Sequence, residues 1–276
     1  MEQLVHFYNH QEEKLAGTLH LPDEIKGGGV VFGHCFTCSR HTRIIRLICS
    51  DLAAAGFIAL RFDFSGNGQS EGDFGASTHS KQIAEIKKSI DIITDNGAEW
   101  IGLAGHSMGA AIAILTAARM NRVKAVCALA GRLSGLNATH FFSKRQLKEL
   151  HDTGRVSFSS RGRPLQLSTT FFADAEQYNL PETIKTLRAP LMVVHGDHDE
   201  IVPVKEAYLA QELNPINTNL AVIPDADKPC LMQESDIFAK VRQACFSDPF
   251  SLRSKQLQPD YVSSYQGTTS WIYLKP

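Results

Sequence analysis

The sequence predicts an α/β fold: a mainly parallel sheet covered by helices. Short β-type runs alternate with helical ones over most of the 276 residues, as strand–helix–strand crossovers require. A small-residue helix, MGAAIAILTAARM, directly follows a strand, WIGLAGHS. The composition, 43% hydrophobic and 21% charged, is that of a chain long enough for one large core.

In chain order, Leu4 to His10 and Lys14 to Pro22 read as an opening antiparallel pair, and Gly28 to Phe36 as the first buried strand. A helix around Arg43 to Ala55 and a strand from Phe57 to Phe64 follow. Ile83, Ile86, Ile90 and Ile93 recur at helical spacing in a segment closed by Gly97, a residue suited to a helix C-terminus. After WIGLAGHS and its helix come strands VKAVCALAG, Pro190 to Gly196 and Asn219 to Asp225, then a helix from about Ser235 to Phe246.

Two segments break the alternation. Residues 133–188 hold a helical piece, FFSKRQLKELHD, and VSFSSRGRPLQLSTTFF, which reads as a hairpin turning at Arg161-Gly162. An insertion of this length between core strands reads as a lid or binding region. The core is then 1–132 with 189–246, and the polar stretch 247–276 is a C-terminal extension.

A formal charge of −1 and the absence of a Lys/Arg run give no nucleic-acid signal. MEQLVHFYNH has neither the basic nor the apolar region of a signal peptide. The apolar stretch Ile101 to Ala118 contains His106, Ser107 and three glycines, so a buried strand–turn–helix explains it better than a membrane span. With six cysteines and no disulfide-scaffold density, the expectation is a cytoplasmic protein in a reducing compartment. Cys35 and Cys38 form a lone CxxC, weak as a zinc or redox signal.

Gly105-His106-Ser107-Met108-Gly109 is G-x-S-x-G between a strand and a helix, the context this motif requires. The tight turn lifts Ser107 Oγ above the sheet edge at a helix N-terminus, where negative charge is favoured. Ser107 is therefore the candidate nucleophile. Its oxyanion needs two donors: the Met108 amide and, from the loop after the first buried strand, the Phe36 amide.

HCFTCS, RFDFSGNGQSEGDF, GHSMGA and HGDHDEIVP together make the chain resemble the α/β-hydrolase superfamily over roughly Leu4 to Phe246. It is similar to the hydrolase half of hydrolase/OsmC-type fusions and to small bacterial carboxylesterases of the feruloyl and cinnamoyl esterase kind. Cys35 departs from the usual His-Gly-Phe of the oxyanion loop. The resemblance implies a serine carboxylesterase acting on small acyl or aryl esters, with no cofactor. It also implies that Asp199, preceding x-x-V-P, is the triad acid. His195, Asp197, His198 and Asp199 crowd together, but at no known zinc spacing.

The triad histidine should follow the last strand, in a segment similar to I-P-G-A-D-H. Here the residues are Ile223-Pro224-Asp225-Ala226-Asp227-Lys228, and no histidine follows His198. An unperturbed lysine has a pKa of about 10.4, and a nearby Asp199 favours its ammonium form, which cannot accept a proton. Loss of the histidine costs a serine triad on the order of 10⁶ in kcat. A second expectation therefore stands beside the first: a catalytically impaired or purely ligand-binding protein on the same fold. His34, beside the oxyanion loop, is the candidate substitute base.

Overall fold

The computed structural model describes residues 1–224 and residue 226. Eight strands form one sheet in the order β1-β2-β4-β3-β5-β6-β9-β10. They are β1 (Glu2–Tyr8), β2 (Lys14–His20), β3 (Gly28–Gly33), β4 (Ile58–Phe62), β5 (Trp100–His106), β6 (Val123–Leu129), β9 (Leu191–Gly196) and β10 (Thr218–Ile223). β1 and β2 pair antiparallel, as does β2 with β4, and every later pairing is parallel.

The alternation of side chains along each strand divides the core between two faces. On one face Val30 and Phe32 of β3 pack with Ile44, Ile45, Ile48 and Leu52 of helix α1 (Arg43–Ala54). On the other, Val31 packs with Ile83, Ile86, Ile90 and Ile93 of α2 (His79–Asp95). The Thr78 hydroxyl caps α2 by accepting the Lys81 N–H. That second face also takes α3 (Met108–Ala117), which is apolar all round and buried throughout from Gly109 onward, as a helix must be when enclosed by neighbours.

The insertion adds its own elements, and its Leu180 and Ile184 pack into the main core. It contains α4 (Lys144–Thr153), the antiparallel pair β7 (Arg155–Ser160) and β8 (Arg163–Ser168), α5 (Thr169–Ala175) and α6 (Leu180–Thr186). A capping box of Ser143 with Gln146 starts α4, and Gly154 at φ 74° ends it. Arg161 and Gly162, at φ 52° and 73°, form the two-residue turn whose twist suits a hairpin. The sequence reading carried the hairpin through STTFF. Instead β8 stops at Ser168 and Thr169 opens α5, turning Phe171 onto the Val156 and Leu167 side chains. α7 (Lys205–Leu213) links β9 to β10. The helix expected from Ser235 to Phe246 and the extension 247–276 lie outside the described residues.

Candidate active site

One residue, Ser107, separates β5 from α3. Its φ of 56° and ψ of −116° lie where an L-residue rarely sits, at a cost of roughly 1–3 kcal/mol. The strain has visible supports. A Cβ on Gly105 would strike the Gly109 carbonyl, and one on Gly109 would strike the carbonyl of Gly33. The two glycines thus let β5, α3 and the end of β3 meet at backbone distance. The Ser107 N–H donates to Leu129 O at 2.8 Å, tying the turn to β6. Met108, first in α3, carries one of the amides that have no acceptor within the helix.

Ser107, Met108 and Phe36 line one cavity of about 560 Å³. Phe36 reaches it from the loop after β3, which is held from below by His34. The Nε2 of His34 accepts the Phe64 N–H at 3.0 Å, and its Nδ1 donates to Cys35 O at 2.6 Å. Burial pushes its pKa down, consistent with this neutral tautomer. Both ring nitrogens are therefore engaged with backbone, and a base role for His34 would require one of these bonds to break. The same loop carries a feature that spacing alone left weak: Cys35 and Cys38 are joined by a disulfide.

Asp199 lies just beyond β9, with its carboxylate fully enclosed. Its Oδ1 accepts the amides of Ile201 and Val202, each at 2.9 Å, and both residues line the Ser107 cavity. Its Oδ2 has no hydrogen-bond partner among the described residues. His195 Nε2 lies 3.6 Å from it, and that nitrogen donates to Val202 O at 2.7 Å. A buried carboxylate oxygen left unpaired is costly, so the position calls for a donor. Lys228 itself lies outside the described residues. The crowded His195-to-Asp199 segment forms no three-ligand cluster among the described residues.

The insertion closes the cavity with aromatic surface: Phe141, Phe142, Phe158 and Phe171 line it, whereas Phe172 packs behind them. Two further lining residues carried no motif. His79 opens α2 with its ring against Phe171, at 4.6 Å between centroids, and its Nδ1 is 3.7 Å from Asp174 Oδ2. Arg132, just past β6, places a guanidinium on the wall. Neither was recognisable from the sequence, because β6 and α2 bring them in from distant stretches.

The family model described as serine aminopeptidase, S33, matches residues 30–164. That span carries Phe36, Ser107 and Met108 and stops before Asp199. With the parallel sheet and the strained serine turn, it fits the α/β-hydrolase fold, which is the fold of this chain. Among solved structures, the chain is similar to Est1E from Butyrivibrio proteoclasticus bound to ferulic acid. The two are 22% identical with a TM-score of 0.72, over 91% of this chain and 96% of that one. It is also similar to the esterase domain of a Rhodothermus marinus protein (26% identity, TM-score 0.65, 87% and 94% covered).

Two curated relatives are named palmitoyl-protein thioesterase ABHD10, mitochondrial. The mouse protein (Mus musculus) is 28% identical over 153 residues, which is 54% of this chain and 50% of that protein. The rat protein (Rattus norvegicus) is 24% identical over 183 residues, or 64% and 61%. The chain thus spans half to three-fifths of the length of the curated relatives it matches. Among the described residues, no helix is long and apolar enough to cross a membrane.

Proposed function

We propose that this α/β hydrolase is a serine carboxylesterase acting on small acyl or aryl esters. The observation that carries the reading is Ser107, held at positive φ on the wall of a 560 Å³ aromatic cavity that it shares with Phe36 and Met108. Ser107 Oγ attacks the ester carbonyl, and the Phe36 and Met108 amides receive the oxyanion. The alcohol leaves with a proton, and water then releases the acid from Ser107. Asp199 is the triad acid in this account; its enclosed Oδ2, without a hydrogen-bond partner among the described residues, suits a residue meant to hold a proton-bearing partner. The insertion acts as the lid that shapes the acyl pocket. An aryl acid such as the ferulic acid bound to Est1E suits the phenylalanine lining, and an acyl thioester, of the kind the curated relatives are named for cleaving, would be opened by the same attack.

The second reading, an impaired hydrolase whose site only binds, is favoured by one observation, Lys228 in place of the histidine. A fluorophosphonate probe separates the two, because it phosphonylates only an activated serine. The proposal expects one adduct, mapped to Ser107 and absent from Ser107→Ala. No adduct on the native protein, with one appearing in Lys228→His, would establish the impaired reading. A parallel His79→Ala sample asks whether this cavity-lining histidine, with Asp174 beside it, supplies the base.

A further inference from the structure

The two sulfurs of the Cys35–Cys38 disulfide stand in different surroundings. Cys35 is half-buried and lines the Ser107 cavity. Cys38 is 4% exposed and lies under the hairpin turn, where Arg161 Nη2 donates to its Sγ at 3.3 Å. The turn is fixed over this loop by two further bonds: Thr37 Oγ1 with Ser160 Oγ at 2.8 Å, and Arg163 Nη2 to Thr37 O at 3.3 Å. Cys35 thus borders the Ser107 cavity as the less buried of the two, whereas Cys38 borders a separate pocket of about 300 Å³ beside Arg161 and is capped by that guanidinium.

Ester hydrolysis needs neither sulfur, whereas directional thiol–disulfide exchange needs this asymmetry. We propose that Cys35–Cys38 is an exchange site for small thiols, entered through the cavity. An external thiolate attacks Cys35 Sγ and forms a mixed disulfide there. The Cys35–Cys38 bond breaks, and its electron pair leaves on Cys38 as a thiolate facing Arg161. A second thiolate attacks the small-molecule sulfur of the mixed disulfide and releases Cys35. Two thiols are oxidised to one disulfide, and the protein bond is reduced to two thiols, with the two protons retained. A guanidinium beside the departing sulfur stabilises its thiolate, and a better-stabilised thiolate leaves faster. Phe36 lies between the two cysteines, so opening the bond loosens the loop that presents its amide to the cavity.

A ring nitrogen of His106 lies within 4.8 Å of both sulfurs. The reduced pair therefore has a competing fate, as three ligands for a soft metal ion, and the experiment includes it.

The test uses the full chain purified without reductant, titrated with glutathione, alkylated under native conditions and mapped by peptide mass. The expected result is Cys35 and Cys38 joined at the start and both alkylated after reduction. Buried Cys49, whose thiol is pushed up to about 12 by burial, stays unlabelled. In Cys38→Ser, glutathione disulfide forms its adduct on Cys35; in Cys35→Ser it forms none on Cys38. Arg161→Gln slows reduction by roughly three- to tenfold, the size of effect expected from a less stabilised leaving thiolate. Cys35 and Cys38 found as free thiols in the air-purified wild type, first attack on Cys38, or an unchanged Arg161→Gln rate would each overturn the proposal. So would one equivalent of zinc taken up by the reduced protein with both thiols protected. The wild-type arms need no variant to fold.

Discussion

Ser107 is asked to hold a backbone conformation that its own side chain disfavours, and the surroundings hold it there. Removing the Cβ should therefore stabilise the fold relative to alanine. Ser107→Gly is expected to exceed Ser107→Ala by about 1 kcal/mol in urea unfolding, the scale of a strained positive-φ residue less the entropy cost of glycine. Equal stabilities would mean that the turn is relaxed. Gly109→Ala has the opposite sign, because its methyl meets the Gly33 carbonyl; a loss of at least about 2 kcal/mol is expected from such overpacking, read as a fall in Tm. The serine and its two glycines were legible in the sequence because one short motif encodes the entire turn. Met108 was legible as the residue after the serine, Phe36 from the loop after the first buried strand, and Asp199 only through the resemblance. The Cys35–Cys38 bond and the engagement of His34 were not, since each depends on how a loop folds back on distant backbone.

At the scale of elements, the insertion is joined to α2 through Asp174 of α5, which accepts the Ser80 N–H at 2.9 Å, accepts the Ser80 hydroxyl, and faces His79. Burial alone would raise its carboxyl, but His79 and Ser80 outweigh it and hold it at about 2. The folded value is below the unfolded one, so the carboxylate's contribution is fully present above about 4 and disappears as pH falls through 2. The stability gap between wild type and Asp174→Asn should accordingly narrow from pH 4 to pH 2 in urea titrations. A gap that ignores pH would show that the carboxylate's charge is not what joins these elements. The hairpin was visible from its Arg-Gly turn, whereas α5 was misread as strand. STTFF satisfies β propensity locally, and only its packing against Val156 and Leu167 makes it helical.

Over the whole molecule, the sheet order follows from connectivity: parallel strands joined by helices stack outward from β3, with β5 beside it and β9 one strand further on, past β6. Ser107, the Phe36 loop and the Ile201–Val202 amides that Asp199 holds reach one cavity for that reason, from stretches scattered across the chain. The antiparallel edge carries its own pH sensitivity. His20 of β2 is buried, which together with Arg61 lowers its pKa to about 4; its Nε2 accepts from Arg61 Nε at 2.9 Å. Between 6.5 and 4 the unfolded chain binds the proton that the folded one refuses, so stability falls on acidification through that window. His20→Gln should flatten this slope.

The central claim, that Ser107 is a working nucleophile, is tested most directly by steady-state hydrolysis of p-nitrophenyl butyrate by the unmodified protein and by Ser107→Ala. The account predicts turnover that falls to background, by at least about 10³-fold, when the hydroxyl is removed. An equal rate in Ser107→Ala would contradict it.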